Sequence, residues 1–142
     1  MSRVINPETA GKERKQLSRA VVLAIRELMS QTETNANTRD LAAFIALALI
    51  AIHETIDGSV GAWEKRGYWI KADRFRMEWM WSESLGKKME QAVLAEDWAT
   101  VAATVVQIGE KLNSVKLPQR HRLGKPWIGA YKKLKESQDI KS

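Results

Sequence analysis

Apolar residues recur every three or four positions along most of the chain, and nowhere alternate at period two for long enough to define a strand. Leu17, Val21, Ala24 and Leu28 share one helical face, and Asn6-Pro7-Glu8 precedes them. Asn can cap the free amides, Pro suits the first helical position, and Glu suits the positive end of the helix dipole. The pattern therefore predicts a first helix over about residues 7–31. The polar stretch QTETNANT reads as a loop. Thr38 is placed to cap a second helix, with Asp40 in its first turn. Residues 41–52, LAAFIALALIAI, are apolar on nearly every face, so this helix should be the central one, with Gly58 and Gly61 ending or bending it.

GAWEKRGYW mixes glycine, charge and aromatics and reads as a connection. A third helix is predicted from about Lys71, with Phe75, Trp79, Met89 and Val93 on one line and Met77, Trp81 and Leu85 on the next. Ser82 and Gly86 fall within that wide face, where small side chains let another helix approach closely. Asp97 can cap a fourth helix carrying Trp98, Val101, Ala102, Val105, Ile108 and Leu112. Residues 113–125 are irregular. Pro126 is placed to begin a short fifth helix, on which Trp127, Tyr131 and Leu134 fall at i, i+4 and i+7. The expected architecture is all-α: a single-domain bundle of four main helices with a short basic C-terminal helix or extension. There is no internal repeat and no low-complexity tract.

Charge divides this pattern in two. Up to residue 115 the chain holds 15 Lys and Arg against 15 Asp and Glu, while residues 116–142 hold 8 against 2. The net charge of +6 thus lies wholly in the last part, which separates a neutral region 1–115 from a basic region 116–142 expected to dock on it. Cysteine is absent, which excludes disulfides, thiolate metal sites and a cysteine nucleophile. The N-terminal residues lack the apolar core of a signal peptide, and a twelve-residue apolar run is short for a bilayer. A cytoplasmic protein without a transmembrane segment is expected.

Three stretches carry candidate chemistry. The first is KLPQRHRLGKPW with the helix after it: Lys116, Arg120, Arg122, Lys125, Lys132, Lys133 and Lys135 form a basic set suited to a polyanion. Such a set holds nucleic acid through phosphate contacts, with steep salt dependence and little sequence preference, and an acidic protein is the other partner of that chemistry. An anionic membrane surface is weaker, because the apolar stripe is only Trp127, Tyr131 and Leu134. Alternatively those three residues simply strap the segment down. The second stretch is KADRFRMEWMW. Arg76 can lie over Trp79, and Asp73–Arg76 and Arg74–Glu78 can pair. Core packing should dominate here, because each aromatic ring buries about 150–250 Å² whereas an exposed helical pair adds about 0.3–0.5 kcal/mol. Trp69, Trp79, Trp81, Trp127 and Tyr131 are the candidate interface aromatics, for a homodimer or another partner.

The third stretch is HETID, where His53, Glu54 and Asp57 offer metal-ligand types at helical spacing, with Asp73 and Glu78 as further oxygen donors. The likeness to H-E-x-x-H is incomplete, since Asp57 stands where the second histidine belongs. Against it stands the polar end of a buried helix, and no cofactor is expected. The sequence favours a non-enzymatic helical interaction protein. The rival readings are a metal-dependent hydrolase using Glu54 and Asp57 and a structural subunit of a larger helical assembly.

Overall fold

The computed structural model describes residues 7–141. Among these the chain is all-α, with six helices: α1 (Pro7–Met29), α2 (Ala36–Lys65), α3 (Trp69–Trp79), α4 (Trp81–Leu94), α5 (Trp98–Lys111) and α6 (Ala130–Lys141). The central helix is α2, as its all-round apolarity predicts; α1, α3, α4 and α6 all pack on it, and α5 packs on α4. Its buried side chains, Leu41, Ile45, Leu49 and Ile52 among them, form the middle of the core. On α1 the expected face is inward, with Val21 and Ala24 buried and Leu17 and Leu28 half-buried. The proposed Asn6 cap lies outside the described residues.

Helix α2 runs further in both directions than its pattern suggests. Asn35, not Thr38, caps it: the Asn35 side chain accepts from the Thr38 amide at 3.0 Å. Thr38 sits in the first turn and donates its hydroxyl to the Glu33 carbonyl at 2.7 Å. At the other end Gly58 and Gly61 lie inside the helix, because burial of Ile56, Ser59 and Val60 outweighs their low helical propensity. The stop comes at Gly67, whose φ of +81° is left-handed. There the Gly67 amide donates to Glu64 and the Tyr68 amide reaches back to the Trp63 carbonyl at 2.9 Å, a helix ending that glycine favours. With 30 residues, α2 is long and apolar enough by length and composition to cross a membrane, unlike the twelve-residue run. More than half of its apolar stretch is buried within the fold, the pattern also of a core helix.

The single helix expected from Lys71 is two helices with a corner at Met80, whose φ and ψ of −56° and −32° remain helical. The corner re-phases the chain, so Met77 points to solvent instead of joining Trp81 and Leu85. The small positions behave as expected. Ser82 is buried, and a Cβ added to Gly86 would come within 3.2 Å of the Leu49 Cβ, so α4 rides closely on α2. Asp97 caps α5 as predicted, accepting from the Thr100 hydroxyl at 2.6 Å and the Thr100 amide at 3.2 Å. Along α5 the buried stripe is Val101, Thr104, Val105 and Ile108, while Ala102 faces outward.

Pro126 does not open the last helix. Residues 126–129 form a turn closed by Gly129 at φ +81°, and α6 starts only at Ala130. Left-handed geometry at Gly129 cannot continue a helix, and an acceptor from α2 takes over the cap. Asp40 accepts from the Gly129 amide at 3.1 Å and from the Tyr131 amide at 3.0 Å. The aspartate expected in the first turn of its own helix lies past that turn and starts another helix instead.

Candidate functional site

The segment that carries the seven cations touches the core at Leu117, Leu123, Trp127, Ala130, Tyr131 and Leu134. Trp127 is buried and donates its indole N–H to the Asn37 side chain at 3.0 Å, and Ala130 and Leu134 enter the core. Arg26 of α1 donates to the Leu117 carbonyl at 3.2 Å, and Gln138 of α6 donates to Glu90 of α4 at 2.8 Å. Of the three residues expected to strap the segment down, Trp127 and Leu134 are buried. Trp127 serves the fold, whereas Tyr131 is half-buried and carries the Lys135 ammonium 5.4 Å from its ring centre. On this frame Lys116, Arg120, Arg122, Lys125, Lys132, Lys133 and Lys135 are all exposed. Among the described residues none of the seven forms an ion pair. His121 turns inward locally, its Nδ1 accepting from the Leu123 amide at 3.3 Å.

The aromatic residues of α3 gather at the far end of α2. Trp63 meets Phe75 edge-on at 4.9 Å, Phe75 lies 6.4 Å from Trp79, and Trp79 stacks on Trp81 at 5.7 Å. With Ile56, Val60 and Ala72, the rings of Trp63, Phe75 and Trp79 form a second, smaller apolar cluster, while Trp81 packs on the main core. Trp79 and Trp81 are half-buried, while Trp69 is 58% exposed and joins Ile70, Met77 and Met80 on an open apolar face. Arg76 does not cover Trp79. It pairs with Glu64 at 2.7 Å and Asp73 at 3.2 Å, and no Arg74–Glu78 pair forms among the described residues. The cation over the rings is Arg14 of α1, 4.7 Å from the Phe75 centroid and 5.6 Å from that of Trp79.

Sequence reasoning missed Arg14. Its Nη1 donates to Thr55 Oγ1 at 3.2 Å and to Ser59 Oγ at 3.3 Å, two hydroxyls one turn apart on α2. Burial pushes the guanidinium below its usual pKa, and the charge of Glu78 opposes the shift. The signal was present in KERKQLSR, where Arg14, Lys15, Ser18 and Arg19 fall on one side of a helix, but its reach to α2 and α3 is tertiary.

The residues of HETID do not converge. His53 Nε2 meets Glu83 Oε2 of α4 at 2.8 Å, while Glu54 and Asp57 open to solvent. Glu83 also takes Lys87 at 2.9 Å. The Lys87 hydrogen bond, then the nearby charges of His53 and Lys87, hold its carboxyl below the usual glutamate range. Among the described residues no group of three His, Cys, Asp or Glu side chains is placed to hold a metal ion. No family model, curated protein or solved structure matches this chain.

Proposed function

We propose that this is a non-enzymatic, cytoplasmic interaction protein that holds nucleic acid through its basic C-terminal segment. In this reading the helices act as one bundle, residues 1–115 form its neutral body, and residues 116–142 present charge from a docked frame. The observation that carries it is the exposure of seven cations with no ion-pair partner among the described residues. Holding such cations on a fixed backbone lowers the ordering cost of phosphate contacts, and each contact releases a condensed counterion. Those contacts carry charge without reading base edges, so binding is expected to be weakly sequence-specific.

Deleting the segment is a poor test, because α6 contributes Leu134 to the core. Lys132, Lys133 and Lys135 are exposed, so replacing all three by Gln leaves the frame in place. Fluorescence anisotropy of a labelled DNA duplex, titrated across a salt series, supplies the readout. The intact chain should show a steep fall of log K with log salt, and the triple variant a slope flatter by about 1 for each phosphate it no longer neutralises. A chain that binds duplex with no salt slope, or a variant that binds as tightly as the parent, refutes the reading.

One observation favours a second reading, self-association. Trp69, Ile70, Met77 and Met80 of the α3 region present large apolar side chains to solvent around Asp73. A second copy would cover such a face. Sedimentation of the Met77→Glu variant against the parent tests it, with a shift from dimer to monomer expected. The metal-dependent hydrolase finds no geometric support among the described residues, since Glu54 and Asp57 are exposed and unclustered.

A further inference from the structure

We propose that a cleft between α1 and the chain following α5 binds a phosphate dianion, either free or as a terminal phosphomonoester. The cleft has a volume of about 400 Å³ and lies where α1, the end of α3 and residues 114–116 meet. Arg14, Lys15 and Arg19 of α1 line it together with Lys116, and among the described residues no carboxylate does. Four like charges around one cleft repel each other, and an anion bound among them removes that cost.

Two further features point to a ligand. Ser18, also in the lining, is buried, and its hydroxyl has no hydrogen-bond partner among the described residues. A buried hydroxyl without a partner is costly, and a phosphate oxygen would satisfy it. Arg14 is anchored through Nη1 alone, to Thr55 and Ser59, with Phe75 beneath the guanidinium. Its Nη2 and Nε make no hydrogen bond among the described residues and keep the planar fork that suits two phosphate oxygens. Glu78 acts on Arg14 by charge but forms no ion pair with it and does not line the cleft.

The number of donors selects among anions. A carboxylate offers two oxygens, whereas four cations and a hydroxyl match the oxygens of a phosphate. A buried serine is reached more readily by a terminal phosphate than by a diester within a polymer. The volume falls within the range of small-molecule sites, and Trp79 provides one wall for whatever the phosphate carries. This site goes beyond the nucleic-acid reading and shares only Lys116 with the basic segment.

The test is titration of the full chain with inorganic phosphate, with AMP and with adenosine, followed by calorimetry and tryptophan fluorescence. Sodium chloride of equal ionic strength is the control. Saturable binding of phosphate or AMP at one per chain is expected, with adenosine inert. Tighter binding of AMP than of phosphate identifies a monoester as the ligand, and equal binding identifies the free anion. Lys15 and Arg19 are exposed, so a Lys15→Gln/Arg19→Gln variant should fold as the parent does while binding about tenfold or more weakly. The Lys132→Gln/Lys133→Gln/Lys135→Gln variant should bind AMP normally, which separates failure of this site from failure of the basic segment. A response reproduced by sodium chloride, adenosine binding as well as AMP, or a Lys15/Arg19 variant of unchanged affinity overturns the proposal.

Discussion

The two ends of α2 solve the same problem by different means. At its N-terminal end, polar side chains point outward and catch neighbouring elements: Asn37 takes Trp127, Asp40 caps α6, and Arg39 pairs with Glu96 at 2.9 Å. At its C-terminal end the partners are rings and hydroxyls. Thr55 and Ser59 hold Arg14, and Ile56, Val60 and Trp63 support Phe75 and Trp79. The first end joins the main core through Leu134, which is fully buried. The second carries a small cluster whose rings remain half-exposed. One helix thus holds the buried Trp127 and the start of α6 at one end and a half-exposed aromatic shelf at the other, and both candidate anion sites depend on that division.

Burial predicts unequal cost. Leu134→Ala opens a cavity in the main core and should destabilise the chain by about 2–5 kcal/mol. Phe75→Ala removes more atoms but leaves a smaller deficit, because the ring is already partly solvated and its neighbours can collapse onto the space. Urea unfolding of the two variants checks the order. If Phe75→Ala costs as much as Leu134→Ala, the aromatic shelf belongs to the main core and the contrast between the ends disappears.

The next effect tests the N-terminal end alone. Asp40→Ala removes the acceptor for two amides at the start of α6 and should cost about 1–2 kcal/mol. Asp40→Asn keeps an acceptor and should lose less. Hydrogen exchange should show faster opening of α6 in Asp40→Ala, with the Phe75 region unaffected. Equal loosening at both ends would mean that they are coupled through α2.

What the sequence makes legible follows from range. The α1 face and the Asp97 cap depend on neighbours three or four positions apart, and the structure has both, while a small residue at Gly86 leaves room for the Leu49 Cβ of α2 wherever the packing places it. The Met80 corner, the extension of α2 past Gly58 and the shift of the last helix start to Ala130 are decided by distant packing. Gly67 and Gly129 take left-handed φ beside helix ends, and Gly124 does so in the loop between α5 and α6, whereas Gly58 and Gly61 stay helical; composition cannot separate the two kinds. The basic segment was legible because charge counting needs no fold. Arg14 was not, because its partners Thr55, Ser59 and Phe75 lie more than forty positions away along the chain.

The smallest effect concerns acid. Asp97 caps α5 directly after Glu96, the partner of Arg39, so it sits beside the polar end of the comparison. Hydrogen bonds from the Thr100 hydroxyl and amide hold its carboxyl below the usual aspartate range. A carboxyl whose folded pKa is depressed contributes stability above its unfolded value, and that contribution is lost as pH falls through the folded one. Asp97→Asn keeps an amide acceptor for Thr100 but carries no charge to lose. The parent should therefore be slightly more stable than Asp97→Asn near neutrality, and the gap should close below about pH 4. Urea midpoints of the two chains at neutral pH and in acid measure it. Parallel acid slopes would show that the Asp97 charge plays no part in the cap, and that the polar end of α2 is no more acid-sensitive than the aromatic end.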